Sequence, residues 1–473
     1  MSQLLISPLT RRSLLLGTSA LAAATALPMR IAQASPITLT AQPARLPLIG
    51  QPDTTTRVWA FNGAMPGPTL HVRQGEQVDI AFQNRLEEDT TVHFHGIRLP
   101  NAMDGVPHLT QPPIAPGQTF AYRFAVPDAG TYWYHPHVNS AEQLGRGLAG
   151  AFIVEEREPL AVDRDLVWLL QDWRLTPDAQ ITEDFRNLHD MAHGGRLGNT
   201  VTLNGKVPEV FAVQSGERLR LRLVNAANAR IFALTFAGHA PHIIAIDGQP
   251  VEPHAPVDGR IVLAPGMRID LILDCTGDPK ARFSVLDIFY PRQTYRLLDL
   301  VYAEQRLRDR LLDTPIALPP NPLREPELAS AERHEIRFNG GMMGQMMMRE
   351  RGMAGMSMRD MMASGKIWFV NGVATLGHVM APMLTLRRGS TYVLNLINET
   401  AWWHPMHLHG HSFRVLRRND APTLRREWQD TVLLAPRESV AIAFVADNPG
   451  DWMFHCHILE HQESGMMGVI RVQ

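Results

Sequence analysis

Four short stretches hold ten of the 20 histidines: "HFHG" at 93–96, "HPH" at 135–137, "HPMHLHG" at 404–410 and "HCHILEHQESGMM" at 455–467. In a strand, residues i and i+2 share a face about 6.6 Å apart. Each H-x-H therefore offers two imidazoles side by side. His93, His95, His135, His137, His407, His409, His455 and His457 supply eight such rings. Imidazole suits copper, zinc, iron and nickel alike, so these eight do not name a metal. Cys456 narrows the choice. Its side chain points away from the face shared by His455 and His457. With His404, His461 and the weak axial thioether of Met466 it makes a His₂Cys(Met) set, the ligand set of a blue-copper electron-transfer centre. Structural zinc would favour closed tetrahedral sites and has no use for redox wiring.

Such rings need rigid strands to carry them, and the sequence repeats one plan three times. "FNGAMPGPTLHVRQGEQVDIAFQN" begins at Phe61, "LNGKVPEVFAVQSGERLRLRLVN" at Leu203 and "VNGVATLGHVMAPMLTLRRGSTYVLNLIN" at Val370. Each opens on Asn-Gly, passes a glycine turn (Gly75, Gly216, Gly389) and ends an alternating strand at an asparagine (Asn84, Asn225, Asn398). The same 18-residue interval separates Gly75 from His93 and Gly389 from His407. The copies also close alike, "AGTYWYHPH" at 129–137 matching "PGDWMFHCH" at 449–457. The middle copy carries no histidine at these places, and His239 and His242 there read as ordinary loop or core residues. Period-two alternation in "VDIAFQ" and "LRLRLV" predicts strands with one buried face. The expected fold is all-β, three cupredoxin-like Greek-key β-sandwich domains. The boundaries are 35–157, 158–318 and 329–473, with proline-rich links near 155–160 and 318–328 and a methionine-rich insert at 342–362.

A net charge of -2 gives no sign of a nucleic-acid partner. Residues 1–34, with Arg11-Arg12, an apolar run and the A-x-A site Ala32-Gln33-Ala34, are similar to a twin-arginine export signal. The expectation is a periplasmic protein, delivered by the twin-arginine export machinery and without stable membrane insertion after signal removal. Of the two cysteines, Cys275 lies in the strand-like run "RIDLILDC" and reads as an inert buried thiol.

Taken together, the four histidine motifs resemble those of the multicopper oxidases, across the whole chain after the leader. The resemblance implies four coppers. His404, Cys456, His461 and Met466 would form the type 1 site, and His93 and His407 the type 2 site. His95, His135 and His457 would hold one type 3 copper, and His137, His409 and His455 the other. The three-copper cluster would lie between the outer domains, with the middle one as spacer. Electrons taken singly at type 1 would pass through Cys456 to reduce O2 to water. Asp104 in "NAMDG" would donate protons. Relatives that oxidise copper often carry a second acid after the last type 1 histidine. Gln462 stands there, leaving Glu460 or Glu463 as substitutes.

The insert "MMGQMMMRERGMAGMSMRDMM" holds ten of the 22 methionines. Thioethers select Cu(I), and the insert is similar to the copper-gathering lid of bacterial cuprous oxidases in the copper-tolerance branch. Cu(I) is the expected reductant, with phenols or aromatic amines less specific. Where those relatives place a carboxylate and a methionine before the third motif, this chain has Trp402-Trp403, with Glu399 the nearest acid. The indoles would wall an apolar entrance, and Asp360 and the insert methionines are the Cu(I)-docking candidates. A laccase acting mainly on organic reductants and a copper-buffering protein with little turnover are the alternatives.

Overall fold

Asn84, Asn225 and Asn398 are buried and fold the chain back in the same way. In each, Oδ1 accepts the N–H two residues on (Leu86, Ala227, Thr400) at 2.9 Å. Nδ2 donates to a carbonyl four or five residues on and to a second, distant one: Glu88 and Ile114, Arg230 and Leu263, Trp402 and Ala435. The amide thus satisfies backbone groups that a strand end leaves unpaired. In the first and third copies the chain so anchored runs into the histidine strands. The Asn-Gly pairs (Asn62-Gly63, Asn204-Gly205, Asn371-Gly372) all have positive φ at both residues, the requirement of a type I′ turn.

The computed structural model describes residues 36–342, 363–377 and 381–473. The expected export signal, Asp360 and all of the methionine-rich insert except Met342 lie outside them. Among the described residues no helix is long and apolar enough to cross a membrane.

Strands between residues 37 and 155 make two four-stranded sheets, those between 164 and 302 a six- and a five-stranded sheet, and those between 332 and 472 a seven- and a five-stranded sheet. The fold is all-β, three sandwiches in series. In each, the opening strand pairs in parallel with the strand that ends at the buried asparagine: Ile37–Leu46 with Gln77–Asn84, Arg164–Trp173 with Arg218–Asn225, Glu332–Gly340 with Thr391–Asn398. Parallel neighbours require a crossover, as Greek-key sandwiches have. Alternation sets the core: Val78, Ile80 and Phe82 of Gln77–Asn84 are at most 2% exposed while the residues between them face outward. One apolar core runs through the first and third sandwiches, and a second fills the middle one.

Candidate metal centres

Strand register brings the histidines together. His93–His95 pairs antiparallel with Gly130–His135, setting His93 opposite His135. His404–Leu408 pairs with Gly450–Cys456, setting His407 opposite His455 and Met406 opposite Cys456. The outer sandwiches then meet ring on ring, His93 on His409 at 4.0 Å and His95 on His407 at 3.7 Å between centroids. Ligand atoms of His95, His135 and His457 lie within 4.8 Å of one another, as do those of His137, His409 and His455, and those of His93, His95 and His407.

Cys456 alone faces the other way. Its Sγ lies 3.6 Å from His404 Nδ1 and 3.7 Å from His461 Nδ1, and all three residues are fully buried. His461 comes from the short helix Leu459–Glu463, which turns the chain back after the strand. Met466 is buried beside them, its carbonyl accepting the Cys456 N–H at 3.1 Å.

The outward nitrogens are tied to oxygen acceptors. His404 Nε2–H donates to Thr400 Oγ1 (2.8 Å), whose proton goes to Asn398, and His461 Nε2–H donates to the His193 carbonyl (2.7 Å). His93, His135, His407 and His455 donate Nδ1–H to the carbonyls of Asp104, Pro136, Asp430 and Cys456 at 2.7–3.0 Å. His409 donates Nδ1–H to Asp104 Oδ2 at 2.8 Å. These bonds fix the tautomers and turn lone pairs inward.

Within the cluster, seven buried ring nitrogens have no partner among the described residues: Nε2 of His93, His135, His137 and His407, Nδ1 of His95, and both of His457. Each orphaned polar atom costs about 1–3 kcal/mol. Two further pairs set lone pair against lone pair at 3.1 Å, His409 Nε2 with His455 Nε2 and His404 Nδ1 with His461 Nδ1. Either a proton or a metal ion must lie between such atoms. Burial argues against the proton, pushing His455 and His461 down to about 3 and, with help from neighbouring imidazoles, His95, His135, His137, His404, His409 and His457 well below 6.5. Neutral imidazole is the ligating form. Burial also raises the Cys456 thiol, so a thiolate here needs a cation beside it. The donor sets fit metal ions of copper's preference.

Asp104 is 1% exposed and touches two of the eight rings, with Oδ1 3.3 Å from His93 Nδ1 as well as its bond to His409. Of the substitutes weighed for the second acid, Glu460 is buried, with Oε1 accepting from Asn228 and Oε2 without a partner among the described residues. Glu463 accepts the Ala141 N–H and pairs with Arg186. Gln462 is buried. Glu399 pairs with Arg337 and Asn339. Trp402 and Trp403, with Phe289, Tyr290 and Ile231, wall an apolar cavity of about 1100 Å³ that reaches His193 and Ile458.

The middle sandwich does more than space the outer two. Its Arg268, fully buried, donates to both oxygens of Asp430 (2.8 and 2.6 Å). Asp430 Oδ1 lies 3.2 Å from His95 Nε2, and its carbonyl holds His407. Asp247 completes the set, Oδ2 accepting the N–H groups of Asp430 and Thr431. Burial, aided by the Asp430 carboxylate, pushes Asp247 up to about 7. Burial also pushes Asp430 up, but Arg268 overrides it and holds that carboxylate below the usual range. A Cβ on Gly266, at φ +85°, would stand 2.8 Å from the His457 ring and 3.1 Å from His95. The sequence signal for this set was a charged residue at a core position, as in "WQDTVLL" and "GMRIDLIL".

Family models described as "Multicopper oxidase" match residues 48–159, 164–297 and 350–473. The chain is 31% identical to the multicopper oxidase MmcO of Mycobacterium tuberculosis, over 91% of this chain and 85% of that one. A crystal structure of a multi-copper oxidase from Pseudomonas thermotolerans superposes with TM-score 0.81 at 35% identity, covering 93% of this chain and all of that one. The laccase-like CueO of Ochrobactrum sp. aligns at 26% identity and TM-score 0.75, over 92% and 97% of the two chains.

Proposed function

Because the chain belongs to the multicopper oxidase family, we propose that it takes electrons one at a time from Cu(I), with phenols or aromatic amines as less specific reductants, and reduces dioxygen to water outside the cytoplasm in the service of copper tolerance. The observation that carries the oxidase reading is the strand end His455-Cys456-His457. There one thiol faces two imidazoles at 3.6 and 3.7 Å, while its chain neighbours face the other six rings. We assign His404, Cys456, His461 and Met466 to type 1 and His93 and His407 to type 2. The type 3 sets are His95, His135, His457 and His137, His409, His455. Bound copper supplies the one-electron redox chemistry at these places. The protein's part is to hold the rings neutral and oriented, to exclude water from the thiol, and to deliver protons from Asp104. Ten methionines within 342–362 support Cu(I), and the twin-arginine pattern of 1–34 supports the periplasm.

The apolar cavity favours a second reading, a laccase for organic reductants. The Ochrobactrum enzyme is described as active towards lignin model compounds. The deciding experiment loads the protein with copper anaerobically, counts the ions, and compares oxygen uptake on Cu(I) and on a phenol. The cuprous reading expects four coppers and a higher kcat/KM for Cu(I). Uptake on the phenol alone would favour the laccase, and copper binding without uptake a buffer.

Asp104→Asn separates proton delivery from electron uptake. The amide keeps an oxygen to accept from His409 but has no proton to give as an acid. Oxygen reduction should slow by about 10²–10⁴-fold, while anaerobic bleaching of the blue centre by excess reductant keeps its rate. Unchanged steady-state turnover would reduce Asp104 to a residue that orients His409.

A further inference from the structure

Three successive carbonyls tie the segment Leu188–His193 to Trp368, to Met342 and to the type 1 candidate His461. Met191 O accepts Trp368 Nε1–H (2.7 Å), Ala192 O accepts Met342 N–H (3.0 Å) and His193 O accepts His461 Nε2–H (2.7 Å). The turn itself is fixed. Asn187 caps it through the Asp190 N–H, and the Asp190 carboxylate is held by Arg174 at 2.7 and 2.9 Å. This turn stacks the His189 and His193 rings, one helical turn apart, with centroids 4.3 Å apart. His193 donates Nδ1–H to the His189 carbonyl at 2.8 Å, which leaves Nε2 with its lone pair. His189 is exposed, and both rings line the apolar cavity, His193 lying edge-on to Trp402 at 5.3 Å.

We propose that His189 and His193 are the docking pair for Cu(I) as substrate, and that the His193 carbonyl to His461 hydrogen bond is the route by which its electron leaves. The proposal rests on the cuprous reading above and names its binding residues. The rings are stacked here, so the exposed His189 ring must turn for its lone pair to meet that of His193 Nε2 on one ion. Two imidazoles at i and i+4 then form a metal-binding face. Imidazole alone does not select the metal, but two donors suffice for Cu(I), which accepts a linear two-coordinate geometry. Fe(II) would want an acid. Of the acids lining the cavity, Asp190 is turned to Arg174, Glu438 is held by Arg418 and the Ala435 N–H, and Glu427 lies 3.8 Å from His254. The step is a pure electron transfer. One Cu(I) becomes Cu(II), the electron passes to the His404–Cys456–His461 centre, and dioxygen is the terminal acceptor through the family's oxidase chemistry. No bond or proton is exchanged at the pair. Met342 donates its N–H to the Ala192 carbonyl, next to His193 in the chain.

The test uses the copper-loaded, full-length enzyme and its His189→Ala and His189→Ala/His193→Ala variants, whose retained blue absorption reports folding. The kcat/KM for Cu(I), divided by that for a phenol, should fall at least about tenfold in the double variant. A second readout needs no turnover. Ag(I), a redox-inert stand-in for Cu(I), should protect His189 and His193 from acylation by diethylpyrocarbonate, read residue by residue by mass spectrometry. An unchanged ratio, or rings that Ag(I) leaves unprotected, would overturn the docking pair while leaving the cuprous reading intact. Wild-type enzyme that turns over a phenol but not Cu(I) would overturn the cuprous reading and the pair's role with it.

Discussion

Cys456→Ser loses the blue absorption and all oxidase turnover, yet still binds copper in the eight-histidine pocket. The thiol is fully buried, with its Sγ 3.6 Å from His404 Nδ1 and 3.7 Å from His461 Nδ1. Serine is smaller and its hydroxyl is a poor thiolate mimic, so the charge transfer that gives blue copper its colour has no donor. The electron route fails with it, because Cys456 is the covalent link between the type 1 set and the rings of His455 and His457. The backbone survives: Cys456 N–H donates to Met466 O and Cys456 O accepts from His455, neither of which needs the side chain. Copper content, visible absorption and oxygen uptake measured on one preparation decide the matter. A variant that stays blue or active would sink the type 1 assignment.

Arg268→Met is expected to be the most damaging change outside the ligands. It leaves the carboxylates of Asp247 and Asp430 buried, at most 1% exposed, with no cation between them. Removing one partner of a buried ion pair costs about 3–5 kcal/mol, a large part of a typical folding free energy of about 5–15 kcal/mol. Asp430 would also lose the bidentate contact that holds it against His95 and His407, so the cluster should lose copper before the type 1 site does. Arg268→Lys keeps the charge without the fork and should fall between the two. Copper retained during dialysis against a chelator, together with the thermal midpoint, measures both effects. Equal loss of copper from both centres would make Arg268 a general stability residue rather than a support of the cluster.

The copper ligand candidates were readable in the sequence because their chemistry is local. An H-x-H in a strand puts two rings on one face whatever the rest of the chain does, and the repeat shows which strands answer one another. The Arg268–Asp247–Asp430 set was not, since its members lie 21 to 183 residues apart and each alone looks like a misplaced charge in an apolar strand. The carbonyls of Met191, Ala192 and His193 were invisible for another reason: every residue has a carbonyl, so only coordinates show which one matters. Asn84, Asn225 and Asn398 stand between these cases. Their recurrence at strand ends was plain, but the amide's grip on the following loop emerged only with the backbone in place. The tryptophans Trp402 and Trp403 do wall an apolar space, as their position suggested.

One consequence of drawing His135 from the first sandwich and His457 from the last is topological. An ion gripped by both closes a loop of about 320 residues, most of the folded chain. By the chain-entropy estimate used for disulfides, a cross-link of that span removes about 6 kcal/mol of freedom from the unfolded state. The coppers would then act as staples as well as redox centres, joining the two ends of the polypeptide into one cooperative unit. Losing them would leave the apolar core that runs through both terminal sandwiches to join them, so metal occupancy would lengthen the lifetime of the folded chain even in a variant with no turnover.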